Sequence, residues 1–404
     1  MYSGTQEASR LHSLGSPRVM TRKEALRLEY LDGLRAVAAL YVVLFHAGLG
    51  FLDADRPLHG FPRNLQRALS FGHDAVAVFI VLSGYCLMLP VARAEGRLVR
   101  GVPNYIGRRA WRILPPYFAA LLGSLLLIAV APVLETPTKT IWADTFPAFE
   151  FGPIASHLLL IHNLFPAWTH SINGPLWSVA TEWQIYFFFP FFLLPIWRRL
   201  GAGATLLSAF AVGSALTWLA PAAAGSAASW YLGLFGLGMC AAGIDFASRP
   251  AERWLRERVS WRIVSLAMLA AVGCGVTLLI KYWFRFMPYS DSLVGASTAS
   301  ALLYLTPHAL RPAGQPKPLP LRIFQSRPLV ALGRFSYSLY LTHLPIVALC
   351  YFALHRLNLS PNAEMLSLMA LSLPLSLLFS YAFFWVFERR FVGAPPTFFR
   401  LRRS

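Results

Sequence analysis

Charge is what this chain of 404 residues has least of: Asp, Glu, Lys and Arg together make up 13%. A soluble domain of that length needs far more polar surface, so a water-soluble globule is excluded. Acids are the scarcer sign, 18 against 36 Lys and Arg, for a net charge of +18. Such a balance admits nucleic acid as a partner. The cations, however, lie in short clusters between apolar runs, which is the pattern of cytoplasmic loops. Cysteine is nearly absent. Cys86, Cys240, Cys274 and Cys350 sit singly inside apolar runs with no CxxC spacing, which argues against a disulfide framework and a metal site and for small core hydrophobes. Also missing are GxGxxG, P-loop and HExxH patterns. No cleavable signal peptide is expected, because the first long apolar run contains Arg35 and His46, unlike an h-region. No appended soluble domain is expected at either end.

What is present is apolar. Hydrophobic residues make up 56% and aromatics 14%, and the mean hydropathy is +0.52. Segments of about 20 apolar residues predict membrane spans near 29–50, 73–92, 113–133, 174–197, 202–221, 228–247, 263–284, 290–309, 330–355 and 363–388. The fold class is therefore all-α, a polytopic transmembrane helical bundle of about ten spans. One further stretch, "FGPIASHLLLIHNLF", is too short and too polar to span and is expected as a re-entrant or interfacial helix. With the N-terminus inside, 27 of the 36 Lys and Arg fall in cytoplasmic segments, seven fall outside and two lie within spans. Both termini are thus expected in the cytoplasm. Residues 1–28 form a basic arm expected to be poorly ordered, 29–391 the transmembrane domain, and 392–404 a basic tail. "RPAGQPKPLPLR" is a proline-rich connector.

The informative residues are the ionisable ones inside apolar runs. In "LDGLRAVAALYVVLFHAG", Arg35 and His46 are eleven residues apart, within about 20° on one helix face and about 16 Å along the axis. Asp32 shares the stripe and is an i,i+3 neighbour of Arg35. Each such group costs a few kcal/mol or more at the bilayer centre, so together they mark a polar path or reaction site. The bland alternative, snorkelling of both groups to opposite interfaces, does not explain their shared facing. Glu182 in "INGPLWSVATEWQIYFFFP" and His343 in "GRFSYSLYLTHLPI" fall at depths that bring them toward His46 in the outer half of the bilayer. The bland readings are an interhelical structural carboxyl and a packing histidine. "FGHDAV" places His73 and Asp74 at the outer end of the second span, where they are also ordinary interface residues. His157, His162 and His308 carry no expected role, and Glu388 and Asp245 are read as span ends beside water. In "YIGRRAWRILPPY", Arg108 stands beside Arg109 and Arg112, which are one turn apart. Such forks suit bidentate phosphate binding, the alternative being plain positive-inside charge. Pro115 and Pro116 read as a helix start that fixes the group.

In this order, "LDGLRAVAALYVVLFH", "VFIVLSGY", "RRAWRILPPY", "GPLWSVATEWQIYFFFP" and "GRFSYSLYLTH" resemble the acyltransferase 3 family over about 29–390. This family comprises membrane-bound acyltransferases that modify bacterial surface sugars and some secondary metabolites. The resemblance implies an O-acetyltransferase-like enzyme of the bacterial cytoplasmic (inner) membrane, without a permanent cofactor or metal. It would use acyl-CoA, acetyl-CoA by family habit, as donor and a sugar or glycolipid hydroxyl as acceptor. His46 matches the family's general base and Arg35 its partner. Arg109 and Arg112, with Arg108 beside them, match the acyl-CoA-recognising pair, and Trp177, Ser178 and Glu182 match the WS–E signature. His343 matches the late YLxH histidine. Ala77 stands where many members carry an acid, and Asp74 is a candidate replacement one turn away. On this reading Glu182 or Asp74 orients His46, Ser178 or Trp177 meets the developing oxyanion, and transfer is direct. A glycolipid transporter or flippase with an Arg/His/Glu-lined path is the alternative from another class, and a structural subunit of a polysaccharide-assembly complex is a third.

Overall fold

In a bilayer every backbone N–H and C=O must be satisfied inside the protein, which leaves an apolar run one economical form, the α-helix. The computed structural model describes residues 28–49, 57–135, 149–279, 287–312 and 314–393. Among them the regular structure is all helical. In chain order the helices are α1 (Glu29–Leu49), α2 (Gly60–Ala68), α3 (Gly72–Ala92), α4 (Gly101–Val130), α5 (Phe151–Leu158), α6 (Leu176–Phe188), α7 (Leu194–Leu219) and α8 (Pro221–Ser226). There follow α9 (Tyr231–Phe246), α10 (Pro250–Arg258), α11 (Trp261–Leu279), α12 (Met287–Ala309), α13 (Leu319–Phe324), α14 (Arg327–Gly333), α15 (Ser336–His355) and α16 (Pro361–Phe383). One π-helical turn, Phe189–Leu193, joins α6 to α7, and another, Phe384–Glu388, extends α16. The basic arm, apart from Leu28, and the tail beyond Gly393 lie outside the described residues.

The count of ten spans is not reproduced. By length and hydropathy, seven helices among the described residues are fit to cross a membrane, or eight if α9 and α10, bent by 86°, form one broken span. Two expected spans fall within one 44-residue element, Leu176–Leu219, about 66 Å long if straight and so twice the hydrocarbon thickness. It is broken at Gly201, with φ 85° and ψ −173°, a conformation that only glycine takes readily. Just past the break the buried Glu252 carboxylate accepts from Ala202 N–H at 3.2 Å, satisfying a backbone donor freed by the break. The expected span 228–247 is the 16-residue α9. Helix α12 has 23 residues but carries too many polar groups, Asp291 among them, to meet the hydropathy requirement.

Two further details differ from expectation. Helix α4 starts at Gly101 and runs through Pro115 and Pro116, so Arg109 and Arg112 stand on the helix body and not at its start. Packed membrane helices tolerate such prolines because neighbours re-satisfy the freed carbonyls. Helix α5 has eight residues, about 12 Å, and leads into buried non-helical chain up to α6, in keeping with the re-entrant reading. Asn163, fully buried there, donates to Thr181 Oγ1 at 2.9 Å and accepts from Gln184 Nε2 at 2.8 Å.

Helices α3 and α9 meet backbone to backbone. A Cβ on Gly238 would lie 1.9 Å from Val81 O, and one on Gly84 2.1 Å from Phe235 O. Small residues permit such close approach in membranes, where packing rather than the hydrophobic effect holds helices together. Because the obstacle is backbone, no rotamer change relieves it. Gly238→Leu is expected to lose about 3 kcal/mol or more of stability, the upper end of overpacking. Its thermal transition and monodisperse yield in detergent check this.

Candidate active site

Helix α1 presents its polar stripe to the protein interior. Near its start Arg35 Nη1 lies 3.4 Å from Asp32 Oδ1, and Nη2 donates to Cys86 Sγ on α3 at 3.1 Å. Near its end His46 Nδ1 lies 2.9 Å from Val42 O and 3.1 Å from His343 Nε2 on α15. His343 is fully buried, with Nδ1 3.0 Å from both Leu339 O and Tyr340 O. These contacts fix the tautomers of the neutral pair. Carbonyls only accept, so His343 carries its proton on Nδ1 and offers a lone pair at Nε2. His46 Nδ1 must then be the donor, shared between Val42 O and His343, which leaves His46 Nε2 unprotonated. The two histidines, 297 residues apart in sequence, form one hydrogen-bonded unit.

A cavity of about 1270 Å³ occupies the arginine-rich end of the bundle. It brings together Asp32, Arg35, Arg109, Arg112, Ser178 and Glu182. His46 and His343 do not line it. Tyr340 stands between: it walls the cavity, its hydroxyl lies 2.7 Å from Ser178 Oγ, and its ring is 6.1 Å from that of His343. Arg108 is exposed and takes no part in the lining, so the structure separates it from its two neighbours. Glu182 accepts from Tyr186 Oη at 2.6 Å, and that hydroxyl also lies 3.2 Å from Ser83 Oγ. The printed contacts join Glu182 to Tyr186, whereas the partner that meets His46 is His343.

Two acids read as water-facing span ends are nothing of the kind. Glu388 is fully buried. One oxygen meets Arg112 Nη1 at 2.6 Å, and the other accepts from Ser338 N–H at 3.1 Å and from the Ser338 hydroxyl. The π turn that carries it shifts helical phase by one residue and so aims it inward. Asp245 is half-buried and accepts from Tyr85 Oη at 2.6 Å. Tyr85 continues to Thr306 Oγ1 at 2.6 Å and thence to Tyr30 Oη at 2.7 Å.

A second imidazole cluster forms where α3, α6, α9 and α12 converge. His73 Nδ1 lies 3.1 Å from Asp291 Oδ1, and Trp230 Nε1 donates to Asp291 Oδ2 at 2.8 Å. The His73 ring stacks on Trp177, with centroids 5.4 Å apart and planes 12° off parallel. Tyr231 Oη is 3.3 Å from His73 Nδ1. Trp177 is the neighbour of Ser178, so this cluster adjoins the cavity's inner wall. Asp291 is fully buried. It was absent from the sequence-derived set, although an acid inside the 290–309 run is the same signal that singled out Glu182. Asp74, also buried, lines a different groove of about 970 Å³ between α1, α3, α11 and α12, not the arginine-lined cavity. His157 and His162 stack face to face at 3.7 Å, and His308 bonds its own helix at Tyr304 O, 2.8 Å away. Among the described residues no three His, Cys, Asp or Glu side chains gather as a metal site.

A polar cavity rich in arginine, ending against a histidine pair inside a multi-pass helical bundle, is the setting for group transfer from an anionic donor. The chain belongs to the acyltransferase 3 family, whose acyltransferase domain matches residues 28–384. It is similar to peptidoglycan O-acetyltransferase OatA of Listeria monocytogenes, 22% identical over 346 residues, or 81% of this chain and 51% of that one. It also resembles acyltransferase MdmB of Streptomyces mycarofaciens, 27% identical over 338 residues (80% and 79%). O-acetyltransferase OatA of Staphylococcus aureus (strain NCTC 8325 / PS 47) is 23% identical over 351 residues (85% and 53%). The chain thus spans about half the length of the two OatA relatives. No solved structure matches it.

Proposed function

We propose that the protein is an O-acyltransferase of the bacterial cytoplasmic membrane. It moves an acyl group, acetyl as in the OatA relatives' names, from cytoplasmic acyl-CoA to a hydroxyl of a cell-surface or exopolysaccharide sugar. The observation that carries this reading is the cavity, cationic along its walls and closed by Ser178 and Tyr340 beside the His343–His46 pair. An anionic thioester entering at the arginine end reaches that wall with its acyl carbon. The acceptor approaches from the opposite end, where His73, backed by Asp291 and stacked on Trp177, lies on its path.

A sugar hydroxyl is a poor nucleophile until a base takes its proton. His46 Nε2, left unprotonated by the tautomer pattern, takes it as the oxygen–carbon bond forms. The imidazolium is stabilised through Nδ1–H by His343, which does for His46 what a carboxylate does in a catalytic triad. The Ser178–Tyr340 hydroxyl pair faces the thioester oxygen as negative charge develops there. The carbon–sulfur bond then breaks, and the proton on His46 passes to the departing CoA sulfur. Arg35, held by Asp32 and Cys86, keeps positive charge part-way along the path, and both termini lie in the cytoplasm on the charge bias of the loops.

The test is reconstitution in liposomes with acetyl-CoA on the arginine-rich side and a glycan acceptor on the other. Free CoA is expected to appear only when acceptor is present, with the acetyl group recovered on the glycan. Movement of glycolipid without CoA release would overturn the reading in favour of a transporter.

A further inference from the structure

Which cations hold the donor's phosphates is a question of charge already committed. Six arginines wall the large cavity: Arg35, Arg93, Arg109, Arg112, Arg334 and Arg389. Two are neutralised inside the protein. Arg35 is paired with Asp32 at 3.4 Å. Arg112 is paired with fully buried Glu388 at 2.6 Å and lies 5.9 Å from the Tyr337 ring centre. The other four have no carboxylate within ion-pair distance among the described residues. Glu182, the remaining acid of the lining, is engaged by Tyr186 Oη.

We propose that Arg93, Arg334 and Arg389 form a phosphate-binding ring at the cavity mouth and that Arg109 is its inner continuation. In this scheme Arg112 of the RxxR pair is committed to Glu388. The proposal rests on the acyl-CoA reading above and assigns residues to it that the sequence motif does not contain. Arg93 follows the last residue of α3, Arg334 sits at the α14–α15 junction and Arg389 follows the π turn after α16. All three are exposed, whereas Arg109 is half-buried and its Nε is sealed from solvent without a partner. Arg389 lies 3.8 Å from the ring centre of Trp385, a contact that orients a guanidinium without cancelling its charge. Four like charges on one concavity repel one another and focus a positive potential, which a polyanion relieves.

The direction of the ligand follows from where its reactive end must go. The thioester has to reach Ser178 and Tyr340 at the inner wall, so the nucleotide end of CoA lies at the mouth. The diphosphate then passes Arg109, and the ribose 3′-phosphate, furthest from the sulfur, meets the exposed trio. Guanidinium forks suit such dianionic groups. The mouth trio is thus the part of the site that distinguishes CoA from its 3′-dephospho form.

Binding of CoA and of 3′-dephospho-CoA to the detergent-purified protein tests this, with a thermal transition on each variant as the folding control. The wild type is expected to prefer CoA by at least tenfold. Arg334→Gln with Arg389→Gln is expected to weaken CoA at least tenfold while leaving the dephospho form within about twofold, so that the preference disappears. Arg93→Gln alone is expected to give a smaller loss of the same kind and serves if the double variant fails to fold. If the wild type binds no CoA at all, the acyl-CoA reading itself falls. If the wild type binds CoA but the folded variants keep its affinity and its preference, the donor site stands and the mouth assignment is wrong.

Discussion

His46→Ala is expected to lower acyl transfer by about 10²- to 10⁴-fold, the contribution of a positioned general base, while CoA binding stays within about twofold. The separation of the two readouts follows from the geometry, because His46 does not line the cavity that receives the donor. Its neighbour gives the graded control. His343 Nε2 accepts the Nδ1 proton of His46 at 3.1 Å, so His343→Leu removes an acceptor and leaves a buried donor unsatisfied. His343→Gln keeps an amide oxygen near that point and is expected to retain more activity than the leucine variant. Initial rates of CoA release, normalised to folded protein, check all three. Near-normal transfer by correctly folded His46→Ala would show that another group takes the proton.

The part of this site legible in the sequence was the part written in helical period. Arg35 and His46 share a face because eleven residues make about three turns, and His343 was drawn to the same depth by counting rise per residue. What the sequence does not write is which side chains from other helices meet that face. His343 pairs with His46 across 297 positions, and only the packing of α15 on α1 decides it. Glu388 was misread because it ends an apolar run, where a carboxylate usually reaches water; the π turn Phe384–Glu388 aims it inward. Two separate spans were read around Gly201 because composition changes there. The structure keeps one continuous element with a glycine break, and hydropathy cannot tell a break from a loop. Tyr340 was invisible for a different reason: a tyrosine in an apolar run is ordinary, and only its contacts with Ser178 and His343 make it a boundary of the site.

Asp291 is the acid whose removal reaches furthest on the acceptor side. Its two oxygens serve different donors, the His73 imidazole at 3.1 Å and the Trp230 indole at 2.8 Å, in a position without solvent access. Asp291→Ala strands both, at about 1–3 kcal/mol for each unsatisfied group, and frees the His73 ring from the orientation that stacks it on Trp177. Asp291→Asn is the sharper probe. An amide has one oxygen, so either Trp230 or His73 must face an NH₂ group; if it is His73, the ring is driven to the tautomer with its proton on Nε2. Were His73 mere packing, the asparagine variant would lose stability and keep its turnover. If His73 presents Nε2 to the incoming hydroxyl, kcat/KM for the acceptor is expected to fall by about 10²-fold, the lower end for a misplaced acid–base group, with CoA affinity unchanged. The measurement is transfer rate against acceptor concentration at saturating acyl-CoA, with the thermal transition recorded alongside. A folded Asp291→Asn protein with acceptor kinetics within twofold of wild type would return His73 to the framework, leaving the His46–His343 pair to handle the proton by itself.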